Sequence, residues 1–238
     1  YWGRGNSPLS FWHEQPTVNE PAFAADSVQY YMTFADKAKY AGPMDADGIP
    51  LLDYRGSIGR QYNPIAIAQF GLASFNAGHH TAALKCADWL VAELKPNMKG
   101  IPVWMHEFDW DYFKTLRAPW YSGLAQGQGI SLLLRAARAA GHEVRVAAPA
   151  SYSREVAKAG FVHAPFADAP PELIGPVMAM LPTVDFEEAD DLVIREVFAR
   201  IDAQAALPSL LEVVERWRPD LVLRETAELA SVAAAERA

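Results

Sequence analysis

The sequence predicts a mixed fold: an α/α-toroid-like helical first part over residues 1–140, then a small α/β parallel-sheet second part over 141–238. Three observations predict it. Composition breaks near Gly141: residues 1–140 carry 12 basic and 12 acidic side chains, residues 141–238 carry 9 and 17, and aromatic residues fall from 21 to 6. Before the break, stretches of helical period alternate with aromatic loops. After it, short β-type runs alternate with helices, the pattern of an open parallel sheet.

In the first part, residues 1–25 read as an irregular lead-in rich in Pro, Gly, Asn and aromatic side chains. Val28, Tyr31, Met32, Ala35 and Ala38 recur at helical spacing over 26–41, and Gly42-Pro43 ends that helix. Turns and a strand near 49–54 follow. Asn63-Pro64 starts a helix as N-cap and first-turn proline, Ile65, Ala68, Leu72 and Phe75 give its inner face, and Gly78 closes it. Residues 80–95 form the next helix, with Leu84, Ala87, Leu90, Val91 and Leu94 turned inward. A strand near 101–106 leads into an aromatic loop, and 122–140 is one continuous helix closed by Gly141.

In the second part, Val144 and Val146 mark a strand over 143–148, and 151–159 is helical up to Gly160. Residues 161–163 form a small strand, followed by a Pro-rich loop. Helices come near 187–204 and 207–217, Leu221-Val222-Leu223 reads as a buried strand, and 225–238 is a last helix. The run Glu187-Glu188-Ala189-Asp190-Asp191 suits a helix N-terminal turn.

A net charge of −8 argues against a general polyanion binder, so no nucleic acid is expected. The single Cys86 excludes an intrachain disulfide and a Cys-rich zinc site. Apolar runs of about ten residues are too short to span a bilayer. The chain opens on Tyr1. A removed leader and a fragment both stay open, and the lack of a visible targeting segment leans towards the cytoplasm.

Three motifs carry a resemblance. The stretches Tyr62-Asn63-Pro64-Ile65-Ala66-Ile67-Ala68-Gln69-Phe70-Gly71-Leu72 and Pro119-Trp120-Tyr121-Ser122-Gly123-Leu124-Ala125-Gln126-Gly127-Gln128-Gly129-Ile130-Ser131, with the opening Tyr1-Trp2-Gly3-Arg4-Gly5, resemble the C-terminal toroid region of D-glucuronyl C5-epimerases over residues 1–139. That family inverts C5 of glucuronate in a heparan-type polymer. The resemblance implies a uronate-containing polysaccharide or oligosaccharide as partner, no cofactor and no metal. It places Gln69 and the loop Phe108, Asp109, Trp110 and Asp111 in a substrate groove.

Arg55, Arg60, Tyr54, Tyr62 and Gln69 cluster at a helix start, where Arg55 or Arg60 would meet the sugar carboxylate and Gln69 would orient the ring, and Gln126 and Gln128 sit beside Trp120 and Tyr121. His106, Glu107 and Tyr112 belong to the same aromatic loop, whose acidic spacing matches no closed metal site. Asn63 and Ala66 stand where other members contact sugar. The family's proposed acid–base tyrosines lie downstream of the point, near Arg138, where the pattern stops, so impaired turnover is expected. Half of a toroid also leaves helical faces exposed, through which copies would oligomerise.

From about Leu132 a second resemblance begins. Ala139-Ala140-Gly141-His142-Glu143-Val144-Arg145-Val146-Ala147 and Val213-Val214-Glu215-Arg216-Trp217-Arg218-Pro219-Asp220-Leu221-Val222-Leu223-Arg224-Glu225-Thr226 resemble the N-terminal domain of GT-B glycosyltransferases that use nucleotide sugars. This Rossmann-like half binds the acceptor. The first of these stretches corresponds to the family's first helix end and second strand, so the first strand and its following loop have no counterpart here. The resemblance gives Arg224, Glu225 and Thr226 a place at a strand end, where ligand loops occur. His142 and His163 read as structural. The two families meet inside one helix over 131–140, so the chain reads as a fusion of two incomplete carbohydrate-enzyme pieces. A non-catalytic sugar-binding module is the third reading.

Overall fold

The computed structural model describes residues 11–12, 15–24, 27–111, 115–224 and 228–237. The opening motif, Tyr112, Glu225 and Thr226 lie outside the described residues. The chain divides into two compact units, one up to Glu143 and one from Val144 onward.

The first unit opens with β1 (Thr17–Val18), paired antiparallel to β2 (Met32–Thr33). The helix expected over 26–41 is not there: the segment is extended through β2, and only Lys37–Lys39 makes a short 3-10 turn. The physical reason lies far along the chain. Asn76 accepts from the backbone N–H of Tyr30 at 2.7 Å and donates to the carbonyls of Tyr30 and Met32 at 3.2 and 3.1 Å. Those bonds and the β1 pairing satisfy an extended backbone, and they bury Tyr30 and Phe34 instead of the expected stripe. The expected strand near 49–54 appears as β3 (Leu51–Asp53), and its antiparallel partner is β4 (Arg60–Tyr62).

Helix α1 (Pro64–Asn76) starts as its sequence dictates. The Asn63 side chain accepts from the N–H groups of Ile65 and Ala66, with Pro64 in the first turn. Gly78, at φ +77°, lets the chain turn away. Helix α2 (His80–Ala92) is shorter than expected because Lys95–Pro96 (β5) pairs with Pro102–Val103 (β6). Its buried face is Ala83, Cys86, Ala87 and Leu90, while Leu84 and Val91, expected inside, are exposed. A further hairpin joins β7 (Trp110–Asp111) to β8 (Thr115–Leu116).

Helix α3 (Gly123–Ala139) is capped by the Ser122 hydroxyl, which accepts from the N–H of Ala125. Helices α1, α2 and α3 pack on one another around Ile67, Leu72, Leu90, Trp104 and Leu132. Packing is tight enough that a Cβ on Gly71 would come within 2.3 Å of a Leu132 methyl.

The second unit holds one parallel pair, β9 (Arg145–Pro149) with β10 (Val162–Phe166), in the register Arg145–Val162 to Pro149–Phe166. A 3-10 turn over Ala150–Tyr152 and helix α4 (Ser153–Lys158) connect them. Phe166 on β10 packs against α7 (Ala203–Trp217) and α8 (Ala230–Ala235). The expected Pro-rich loop is in part a helix, α5 (Pro171–Met180), with Pro171 in its first turn and Pro176 inside. The residues from 186 to 217 are helical throughout: α6 (Phe186–Leu192), a π-helical stretch Val193–Asp202, then α7. The expected break near 205 is absent, and Pro208 sits within α7, in its second turn.

Residues 221–224 are not a strand, and Leu221 is 72 % exposed. Among the described residues β9 and β10 pair only with each other, and 221–224 pairs with neither.

Candidate functional site

The expected sugar-groove residues divide into a buried set and an exposed set. Gln69 and Gln128 are buried and bonded to each other at 3.0 Å, and the buried Lys37 ammonium donates to Gln69 at 2.5 Å while lying over the Phe34 ring. Gln126 is spent on the backbone. Its amide donates to the Trp104 carbonyl at 2.9 Å and accepts from the Trp104 N–H at 3.1 Å, imitating a strand partner. These three glutamines tie the helix starts to the core.

Arg55 and Arg60 stand exposed on the β3–β4 hairpin, Arg55 with φ +58° at its turn. Phe108 is buried against Tyr54 at 4.6 Å, and Trp110 packs edge-on to Tyr54 at 5.2 Å. Tyr54 receives a hydrogen bond from Asn63 at 2.6 Å, and burial pushes its phenol up to about 12. Asp109 accepts from Arg117 and from the Ala118 N–H, and Asp111 accepts from Thr115 at 2.7 Å, so both tie β7 to β8 and the residues after it. Tyr121 is about half exposed. The Ala118 backbone N–H and the Arg117 guanidinium hold the Asp109 carboxyl below its usual range.

A different set of residues lines a small, partly open pocket in this unit, with a cavity volume of about 70 Å³. Tyr62, Trp89 and Trp104 supply rings, Glu93, Lys95 and Glu107 supply charges, and Gln61, Pro64 and Met105 complete the lining. Of these only Tyr62 is among the expected site residues. The β5–β6 pairing brings the rest together from three segments, a juxtaposition no local motif announces.

In the second unit the loops at the C-terminal ends of β9 and β10 hold a polar cluster. The Ser151 hydroxyl and N–H both donate to the Asp168 carboxylate, the N–H at 3.0 Å. His163 lies between the Ser153 hydroxyl at 3.0 Å and the Ala148 carbonyl at 3.1 Å, and Ser153 donates to the Ala150 carbonyl at 2.7 Å. Both His163 ring nitrogens are thus engaged. The arrangement positions the 150–153 turn against the 167–168 segment at the edge where open α/β sheets bind ligands. The sequence offered His163 only as a lone histidine, and the parallel register is what gives it partners. Arg224 donates to the Glu228 carbonyl at 3.4 Å.

Among the described residues no three His, Cys, Asp or Glu side chains gather as metal ligands, and no helix is long and apolar enough to cross a membrane. No curated protein and no solved structure matches the chain. Residues 135–238 match the family model for the erythromycin biosynthesis protein CIII-like N-terminal domain, so the chain carries a GT-B glycosyltransferase-like segment over its second part.

Proposed function

We propose that residues 135–238 form the acceptor-binding side of a GT-B glycosyltransferase, with an apolar, hydroxyl-bearing acceptor as ligand. The family match carries this reading. The parallel pair β9–β10 supports it, because Ser151, Ser153 and Asp168 follow the C-terminal ends of its strands, where such sheets receive ligands, and His163 reaches Ser153 from within β10. Exposed Leu173, Met178, Met180 and Phe186 on α5 and α6 supply apolar surface in the same unit. His163 bridges the Ser153 hydroxyl and the Ala148 carbonyl and so orients the 150–153 turn.

Calorimetric titration of the full chain with a hydroxylated macrolactone aglycone tests this. Binding is expected, and Asp168→Ala, which releases the Ser151 tie, is expected to weaken it about three- to tenfold through the loss of a preorganised loop. Unchanged affinity in that variant, or no binding at all, contradicts the reading.

A D-glucuronyl C5-epimerase-like role for residues 1–140, as part of an α/α toroid acting on a uronate polymer through Arg55, Arg60 and Tyr62, is a separate proposal supported by sequence resemblance. Tyr54 and Tyr62 are both pushed up to about 12, so neither phenol serves as a base near neutral pH. The expected result is no solvent deuterium at C5 of a glucuronate polymer. Incorporation at about 1 per second or faster would establish the epimerase instead.

A further inference from the structure

From the pocket around Tyr62, Trp89 and Glu107 we infer a second ligand site in this protein, one that takes an organic ammonium group. The β4 and α2 elements present the rings of Tyr62 and Trp89 side by side, 5.3 Å apart and tilted by 37°, with the buried Trp104 behind them. Tyr62 keeps 40 % of its surface exposed, so an aromatic face is open to a ligand. Aromatic faces attract cations through their ring quadrupole, most strongly for Trp and Tyr.

The charges around the rings have the matching sign. Glu93 is paired with Lys95 at 2.6 Å, and Glu107 is exposed at the rim. Two carboxylates therefore face one ammonium, which leaves one negative charge in the lining uncompensated. The Tyr62 hydroxyl donates to Asp45 at 2.7 Å, adding a further carboxylate beside the same ring. The Asp45 hydrogen bond and burial push the Tyr62 phenol up, and the nearby charges of Asp45, Asp47 and Glu93 add to the shift. A uronate carboxylate meets repulsion here, whereas a protonated amine meets rings and carboxylates together. This site is separate from the acceptor-side proposal for residues 135–238 and stands or falls without it.

Two sources share this chemistry, an amino sugar and a small alkylammonium compound. The full chain is titrated at about pH 6, where amines are protonated, with four probes: a glucosamine oligosaccharide, its N-acetylated form, choline, and a glucuronate oligosaccharide. The expected result is binding of the glucosamine oligosaccharide or choline, with the acetylated and glucuronate probes weaker by about threefold or more. Preference between the first two identifies the source. Glu107→Gln removes an exposed carboxylate and leaves folding intact. It is expected to weaken the cationic probe about three- to fivefold and to leave the acetylated probe unchanged. Equal affinity for amine and acetamide, binding of neither cation, or indifference to Glu107→Gln overturns the inference.

Discussion

Replacing Trp104 with alanine is expected to cost the first unit about 3–5 kcal/mol, the usual loss for a large aromatic removed from a core. Trp104 is 2 % exposed and lies where α2 and α3 meet. Its indole N–H donates to the Leu90 carbonyl at 2.6 Å, closing the end of α2. A Cβ on Gly129 would come within 2.5 Å of the ring, so α3 sits directly against it and cannot collapse far into the space left. The truncation therefore leaves a cavity and an unpaired helix carbonyl at once. Thermal denaturation should show the transition of this unit lowered by about 10 °C or more. Met98→Ala, at a fully exposed position, should leave it unmoved and serves as the control. A Trp104→Ala loss below about 1 kcal/mol would mean that the α2–α3 packing is not the centre of the unit.

Acidification should destabilise the same unit through His106. The ring is fully buried and stacked on Trp120 at 3.8 Å and 2°, and the Trp120 backbone only partly offsets the cost of charging it there. Burial pushes its pKa down from 6.5 to about 4. In the unfolded chain the imidazole takes up a proton below about 6.5, while in the folded chain it stays neutral down to about 4. The unfolded state then binds more protons in that window, so stability is whole above about 6.5 and falls as pH drops towards about 4. The slope is up to about 1.4 kcal/mol per pH unit, and the full loss is about 3 kcal/mol.

Carboxylates titrate in the same range, so the comparison is with His106→Phe, which keeps the ring stack and removes the titration. Relative to wild type, the variant should gain about 3 kcal/mol between about pH 7 and pH 4. Parallel pH profiles for the two proteins would show that the ring is protonated, or solvated, in the folded state.

What the sequence revealed of this fold was local. Asn63-Pro64 and Gly78 announce α1 because capping and chain reversal use neighbouring residues. The 26–41 segment misleads because apolar spacing suits a helix, whereas the deciding partner, Asn76, stands 46 residues beyond Tyr30. Helix α5 hides behind Pro170 and Pro171, which read as loop although a proline in the first turn starts a helix without loss. Leu221-Val222-Leu223 has strand composition, but a strand needs a neighbour, and no described strand pairs with it.

The site was legible in a similar way. Gln69, Gln126 and Gln128 stand out as polar groups on apolar helices, and the structure buries them as core ties. The pocket of Trp89, Glu93, Lys95 and Glu107 arises from the β5–β6 pairing, which no periodicity encodes.

The central claim is that the glycosyltransferase-like second part holds the acceptor site. Amide chemical-shift mapping on the full chain during titration with a macrolactone aglycone tests it most directly. The account predicts shifts at Ala150–Tyr152, Ser153, His163 and Asp168, with the Tyr62–Trp89 pocket silent. Shifts confined to residues before Glu143, with β9, β10 and their loops unmoved, would contradict it.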